Sequence, residues 1–172
     1  MSVPESLQTL NFSMIHAAAP SGLSYSAQAT GCAPVIHALH HGSDLITPVK
    51  PDTIAKSIAI GNPADGYQVI QSIRETGGTG VAVTDHQIVD AIQLLAETEG
   101  IFTEPAGGTT LAGAVELVRR GVIASEESVV VCVTGNGYKT GEVVQGRLTP
   151  PVRLSRAFKE FEAWWETRQV IA

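Results

Sequence analysis

Short apolar runs alternate with amphipathic segments along this chain, and the alternation has a β-α rhythm. Residues 23–28 read as a strand, and residues 32–41 follow as a helix with Val35, Ile36 and Leu39 on one face and Gly42 at its end. Residues 57–60 form a second apolar run. Asn62 is placed to cap the next helix, Pro63 suits its first turn, and Tyr67, Ile70 and Ile73 share a face before Gly77 and Gly78. Residues 81–83 give a third strand; Thr84 and Gln87 then make a capping box for a helix that carries Ile88, Ile92 and Leu95 and stops at Gly100. A fourth run starts at Ile101. The helix after it places Leu111, Val115 and Val118 on one face and ends at Gly121, and a fifth run begins at Val129. Such alternation predicts an α/β fold with a largely parallel sheet and flanking helices.

The ends differ from the middle. Residues 1–22 show no clear period and are expected to be irregular, leaving 23–148 as the α/β domain. Pro150 and Pro151 break the chain. Beyond them Leu154, Phe158, Phe161 and Trp165 share a helical face, so residues 149–172 read as a docking helix.

Composition narrows the partners. With 172 residues, 44% of them hydrophobic and 16% charged, the chain fits one domain with a real core. A net charge of −6, and no basic cluster larger than Arg119 with Arg120, argue against nucleic acid. No apolar stretch reaches membrane-spanning length and no secretory leader is evident, so a cytoplasmic protein without membrane contact is expected. Cys32 and Cys132 lack paired spacing, and Cys132 lies in an apolar run, which suits reduced thiols acting as small hydrophobes.

Several motifs carry candidate chemistry. Residues 135–140 (GNGYKT) follow an apolar run as a phosphate loop would, but Tyr138 stands where the Walker pattern needs glycine before lysine. The same stretch lacks the third glycine of a dinucleotide fingerprint, because Thr140 occupies that place. His37, His40 and His41 have helical spacing that could ligate zinc, yet no thiolate or carboxylate is near in sequence, and imidazoles there complement the helix dipole. No metal is expected. Glu104 is a stronger candidate: it ends an apolar run immediately before Pro105 and a glycine-rich helix start, the usual place for a ligand site in an α/β fold.

Four blocks together resemble the carboxyl-terminal half of threonine synthase, a fold type II pyridoxal-phosphate enzyme with a tryptophan-synthase-like fold. They are residues 28–34 (QATGCAP), 57–66 (SIAIGNPADG), 100–113 with Glu104-Pro105-Ala106 at the centre, and 134–139 (TGNGYK). The resemblance runs from about Tyr25 to Lys139 and corresponds to less than half of a family member. It implies pyridoxal phosphate as an electron sink in a lyase that eliminates phosphate from O-phosphohomoserine and adds water to give threonine. It also implies that the Thr134 hydroxyl meets the pyridine nitrogen, with Gly135 and Asn136 shaping the loop, while Glu104, Ala106 and Gly107 line the same pocket.

One residue of the family pattern is missing. The Schiff-base lysine of a Ser-Phe-Lys-Asp type element, and the glycine-rich phosphate cradle after it, have no counterpart: the lysines are Lys50, Lys56, Lys139 and Lys159, each in another context. The chain is therefore expected to lack catalytic residues of its own and to be inactive alone. Two readings follow. In one, it completes a site with a complementary amino-terminal threonine-synthase half; in the other, it is a pseudoenzyme scaffold binding a small phosphate or amino acid at the helix starts after Asn62 and Ala106. Either way, apolar surface and an open sheet edge favour self-association, most simply as a homodimer.

Overall fold

The computed structural model describes residues 13–17, 22–149 and 152–169. Its sheet has the order β3-β2-β1-β4, with β1 at Ser13–Ala17, β2 at Ser24–Ala29, β3 at Gly80–Val83 and β4 at Val129–Val131. β2 and β3 pair in parallel, Ala27 opposite Val81 and Ala29 opposite Val83. β1 runs antiparallel to both β2 and β4, so β2, β3 and β4 share one direction. The architecture is α/β with flanking helices.

Two features depart from the expected strand pattern. Residues 13–17, in the stretch read as aperiodic, form the strand that bridges β2 to β4. Residues 57–60, expected as a strand, instead belong to a 3-10 turn at Lys56–Ile58, where the Ala59 amide donates to the Lys56 carbonyl and no residue is buried. A run of four apolar residues does not by itself specify a ladder, and here the local bond wins.

β2 is buried on both faces, and its two faces do different work. Tyr25, Ala27 and Ala29 pack into the main core with Val81, Val83, Ile88, Ile92 and Leu117. On the opposite face Gln28 reaches α1 (Pro34–His40), where its Oε1 accepts the amides of Val35 and Ile36 at 3.0 and 3.1 Å. Those amides start a helix and have no partner within it, so a buried glutamine on the strand replaces a local cap. α1 then packs with α2 (Gly66–Glu75) through Val35, Ala38, Val69, Ile70 and Ile73. The α2 start differs from expectation: Asn62 and Pro63 lie in a preceding turn, Asp65 is the N-cap, and Tyr67 points outward while Val69 joins the buried face.

α3 (Asp85–Glu99) follows the sequence closely. The Thr84 side chain accepts from the Gln87 amide while Gln87 reaches back to the Thr84 amide, and Gly100 closes the helix at φ 68°. α4 (Pro105–Arg119) does not bury the face its periodicity suggests. Leu117, Ala112 and a series of glycines, alanines and threonines face the core, whereas Val115 and Val118 are half exposed. Small residues on the inner side let α4 lie close against α3 and the sheet, so this helix has a buried face of small residues and an outer aliphatic stripe. After α5 (Glu142–Gln145), α6 (Phe158–Gln169) carries the carboxyl-terminal aromatics. Phe158, Phe161 and Trp165, expected to dock, are exposed.

Candidate functional site

Glu104 and the segment after β4 are 31 residues apart in sequence yet lie side by side. The connection is backbone pairing: the Glu104 amide donates to the Gly135 carbonyl at 3.1 Å, the Gly137 amide donates to the Phe102 carbonyl at 3.0 Å, and Thr103 forms an antiparallel bridge with Asn136. The Thr103 hydroxyl adds a bond to the Gly135 carbonyl at 2.9 Å. The fourth apolar run is thus an extended connector zipped to the Gly135 loop, rather than a further strand of the parallel sheet.

Glycine is required at two positions on the loop side of this seam. A side chain at Gly135 would overlap the Glu104 carboxylate, and one at Gly137 would stand 2.7 Å from the Phe102 ring. The Phe102 ring also meets Tyr138 edge-on at 5.4 Å. Asn136 turns the chain by accepting the Tyr138 amide at 2.9 Å, which starts the short 3-10 turn at Gly137–Thr140. Phe102, Thr103 and Tyr138 were not marked by the sequence; only their places beside Glu104 and Gly137 hint at the pairing.

The structure brings together all six residues singled out from sequence. Glu104 is the N-cap residue of α4 and is 8% exposed, with its side chain turned toward Gly135 instead of capping the helix. Ala106 and Gly107 are buried in the first turn of α4, and Gly107 packs against the Thr103 side chain. Thr134 and Asn136 are exposed and Gly135 is half-buried, so the loop presents polar groups outward from a buried footing. Among the described residues the Thr134 hydroxyl makes no hydrogen bond, which leaves both its donor and its acceptor capacity available.

Other candidate groups lie apart from this wall. Lys50, Lys56, Lys139 and Lys159 are all exposed, and Lys139 alone is near, in the 3-10 turn after Asn136. The helix starts considered for anions carry acids: Asp65 precedes α2 and Glu104 precedes α4. His41 donates from Nδ1 to the His37 carbonyl at 2.7 Å, and His40 Nε2 bonds the Gly80 carbonyl at 2.9 Å. Among the described residues no three His, Cys, Asp or Glu side chains gather as a metal site, and no helix is long and apolar enough to cross a membrane.

A hydroxyl, a glycine-smoothed backbone and a buried carboxylate fit one side of a flat heteroaromatic group. They do not fit a covalently held pyridoxal phosphate, since none of the four lysines is buried at the wall.

Known proteins resemble parts of this chain in sequence and in fold. The chain is 38% identical over 128 residues to the threonine synthase of Methanocaldococcus jannaschii, covering 74% of this chain and 32% of that protein. It is 42% identical over 118 residues to that of Methanosarcina acetivorans, covering 68% and 29%. It therefore spans about a third of the length of these relatives. In fold it is similar to the threonine synthase of Escherichia coli, with a TM-score of 0.55 and 20% identity over 77% of this chain and 30% of that one. Maize serine racemase gives the same TM-score at 24% identity, with coverage of 72% and 38%. Residues 15–135 match a family described as pyridoxal-phosphate dependent enzyme. The resemblance read from the four sequence blocks thus holds, and the chain belongs to the pyridoxal-phosphate dependent enzyme family.

Proposed function

We propose that this chain supplies the ring-facing wall of a threonine-synthase-like lyase site and that an amine from outside its four lysines completes the site. The observation that carries this reading is the seam of Phe102–Glu104 with Gly135–Gly137, which holds an unbonded, exposed Thr134 hydroxyl beside a buried Glu104 carboxylate. When bound, pyridoxal phosphate supplies the electron sink for elimination and water addition. With it bound, the Thr134 hydroxyl would hold it by a hydrogen bond, Gly135 would leave room for its close approach, and Glu104 would stand beneath the loop. Identity to threonine synthases favours O-phosphohomoserine as the substrate and a complementary amino-terminal half as the partner.

The test is reconstitution. The pure chain, given pyridoxal phosphate and borohydride, is expected to show no lysine adduct by mass spectrometry and no threonine formation. Mixed with the amino-terminal part of a threonine synthase, it is expected to release phosphate from O-phosphohomoserine, and Thr134→Ala is expected to reduce that rate. Turnover by the chain alone, with an adduct on Lys50, Lys56, Lys139 or Lys159, overturns the proposal.

A further inference from the structure

The Gly135 peptide is held from beneath by a residue that the sequence does not mark. Thr103 is 1% exposed, and its hydroxyl donates to the Gly135 carbonyl at 2.9 Å, with the Glu104 carbonyl farther off at 3.3 Å. The same Gly135 carbonyl accepts the Glu104 amide at 3.1 Å. Two donors thus occupy both lone pairs of one oxygen, which fixes the direction of its peptide plane. The neighbouring helix keeps space for this hydroxyl: a side chain at Gly107, in the first turn of α4, would overlap the Thr103 oxygen.

These two bonds answer a conflict at Gly135. Glycine is needed there, because a side chain would overlap the Glu104 carboxylate. Glycine also has the freest backbone, and it directly follows Thr134, so a loose Gly135 would let the Thr134 hydroxyl swing. Thr134 is exposed and its hydroxyl makes no hydrogen bond among the described residues, so its direction comes from the backbone alone.

We infer that Thr103 is a positioning residue for the proposed wall: its buried hydroxyl locks the Gly135 peptide and so sets the direction in which the Thr134 hydroxyl is presented to the cofactor. The inference rests on the reading of Thr134 as the cofactor contact. Thr103 itself lies beneath the loop and acts through it, on orientation.

Three variants of the full 172-residue chain separate the hydroxyl from the space it fills. Thr103→Ala and Thr103→Val both lack the donor, the first leaving a gap and the second keeping the volume. Thr103→Ser keeps the donor and loses only the methyl. In the chain alone, amide exchange at Glu104 and Gly137 is expected to quicken roughly threefold to tenfold in the two donor-free variants, the size of one lost hydrogen bond. Thr103→Ser is expected to exchange as the parent does. After mixing with the amino-terminal part of a threonine synthase, the donor-free variants are expected to lower kcat for phosphate release roughly threefold or more, with KM for O-phosphohomoserine held. Thr103→Ser is expected to recover most of that loss. In a Thr134→Ala background the same changes at Thr103 are expected to add less than about twofold, because the hydroxyl they misdirect is gone.

Unchanged exchange in the donor-free variants, or an equal loss of rate in both backgrounds, overturns the inference and leaves the proposed wall standing. So does a donor-free variant as fast as the parent where Thr134→Ala is slow. If Thr134→Ala turns over as fast as the parent, or the parent mixture releases no phosphate, the cofactor contact itself falls and the inference falls with it.

Discussion

At the scale of single residues, close packing at Gly137 makes a quantitative difference between glycines that look alike in sequence. A methyl group at Gly137 meets the Phe102 ring at 2.7 Å, while one at Gly146 meets nothing within 4 Å. Gly137→Ala is therefore expected to cost about 1–3 kcal/mol in urea unfolding, as overpacking does, and Gly146→Ala to cost close to nothing. Thr134 predicts the reverse separation. Its hydroxyl has no partner among the described residues, so Thr134→Ala is expected to leave unfolding within about 0.5 kcal/mol of the parent. Any loss it causes in the reconstituted enzyme then reports on ligand contact rather than on folding. A carboxylate ending an apolar run before a glycine-rich helix start made Glu104 visible in the sequence, whereas Thr134 was marked by the resemblance of residues 134–139 to the family. That Glu104 leans on Gly135 was not legible, because a contact across 31 residues leaves no local spacing.

At the scale of elements, legibility followed the strength of local chemistry. α3 was read nearly to its ends because a reciprocal cap and a left-handed glycine are chemical stops, independent of what the helix packs against. Thr84→Ala removes one half of that cap and is expected to cost about 1 kcal/mol by thermal or urea unfolding, with the loss confined to stability. A variant as stable as the parent shows that Gln87 alone satisfies the helix start. α4 misled for a physical reason. Periodicity marks aliphatic residues as core, but Gly108 packs 2.6 Å under Ile92 as measured from the position of a missing side chain, and only small residues reach that distance. The buried face is thus small and the aliphatic stripe is left outside. The same logic explains residues 57–60, where a turn bond outcompeted an apolar run too short to dictate a strand.

At the scale of the whole molecule, the acid limb of stability is set by carboxylates that folding has paired. Hydrogen bonds from Arg119, then Arg120, hold the Glu116 carboxyl down to about 2 from an ordinary 4.5, and they tie the end of α4 to its own last turn. Asp90, on α3, is lowered chiefly by its hydrogen bond from Arg147, which joins α3 to the segment after α5. A carboxyl whose folded value lies below its unfolded one binds protons more readily when the chain is unfolded. Its contribution is fully present above about 4.5 and is lost as the pH falls toward about 2. Unfolding free energy should therefore decline through that window, and Glu116→Gln should flatten the decline while leaving the slope above pH 5 as it is in the parent. An unchanged slope in Glu116→Gln would place the acid sensitivity in Asp90 and its link to Arg147 instead. Because that link crosses from α3 to the chain beyond α5, Arg147→Gln would then loosen the carboxyl-terminal segment at neutral pH, measurable as faster amide exchange at residues 142–149 with α4 unchanged.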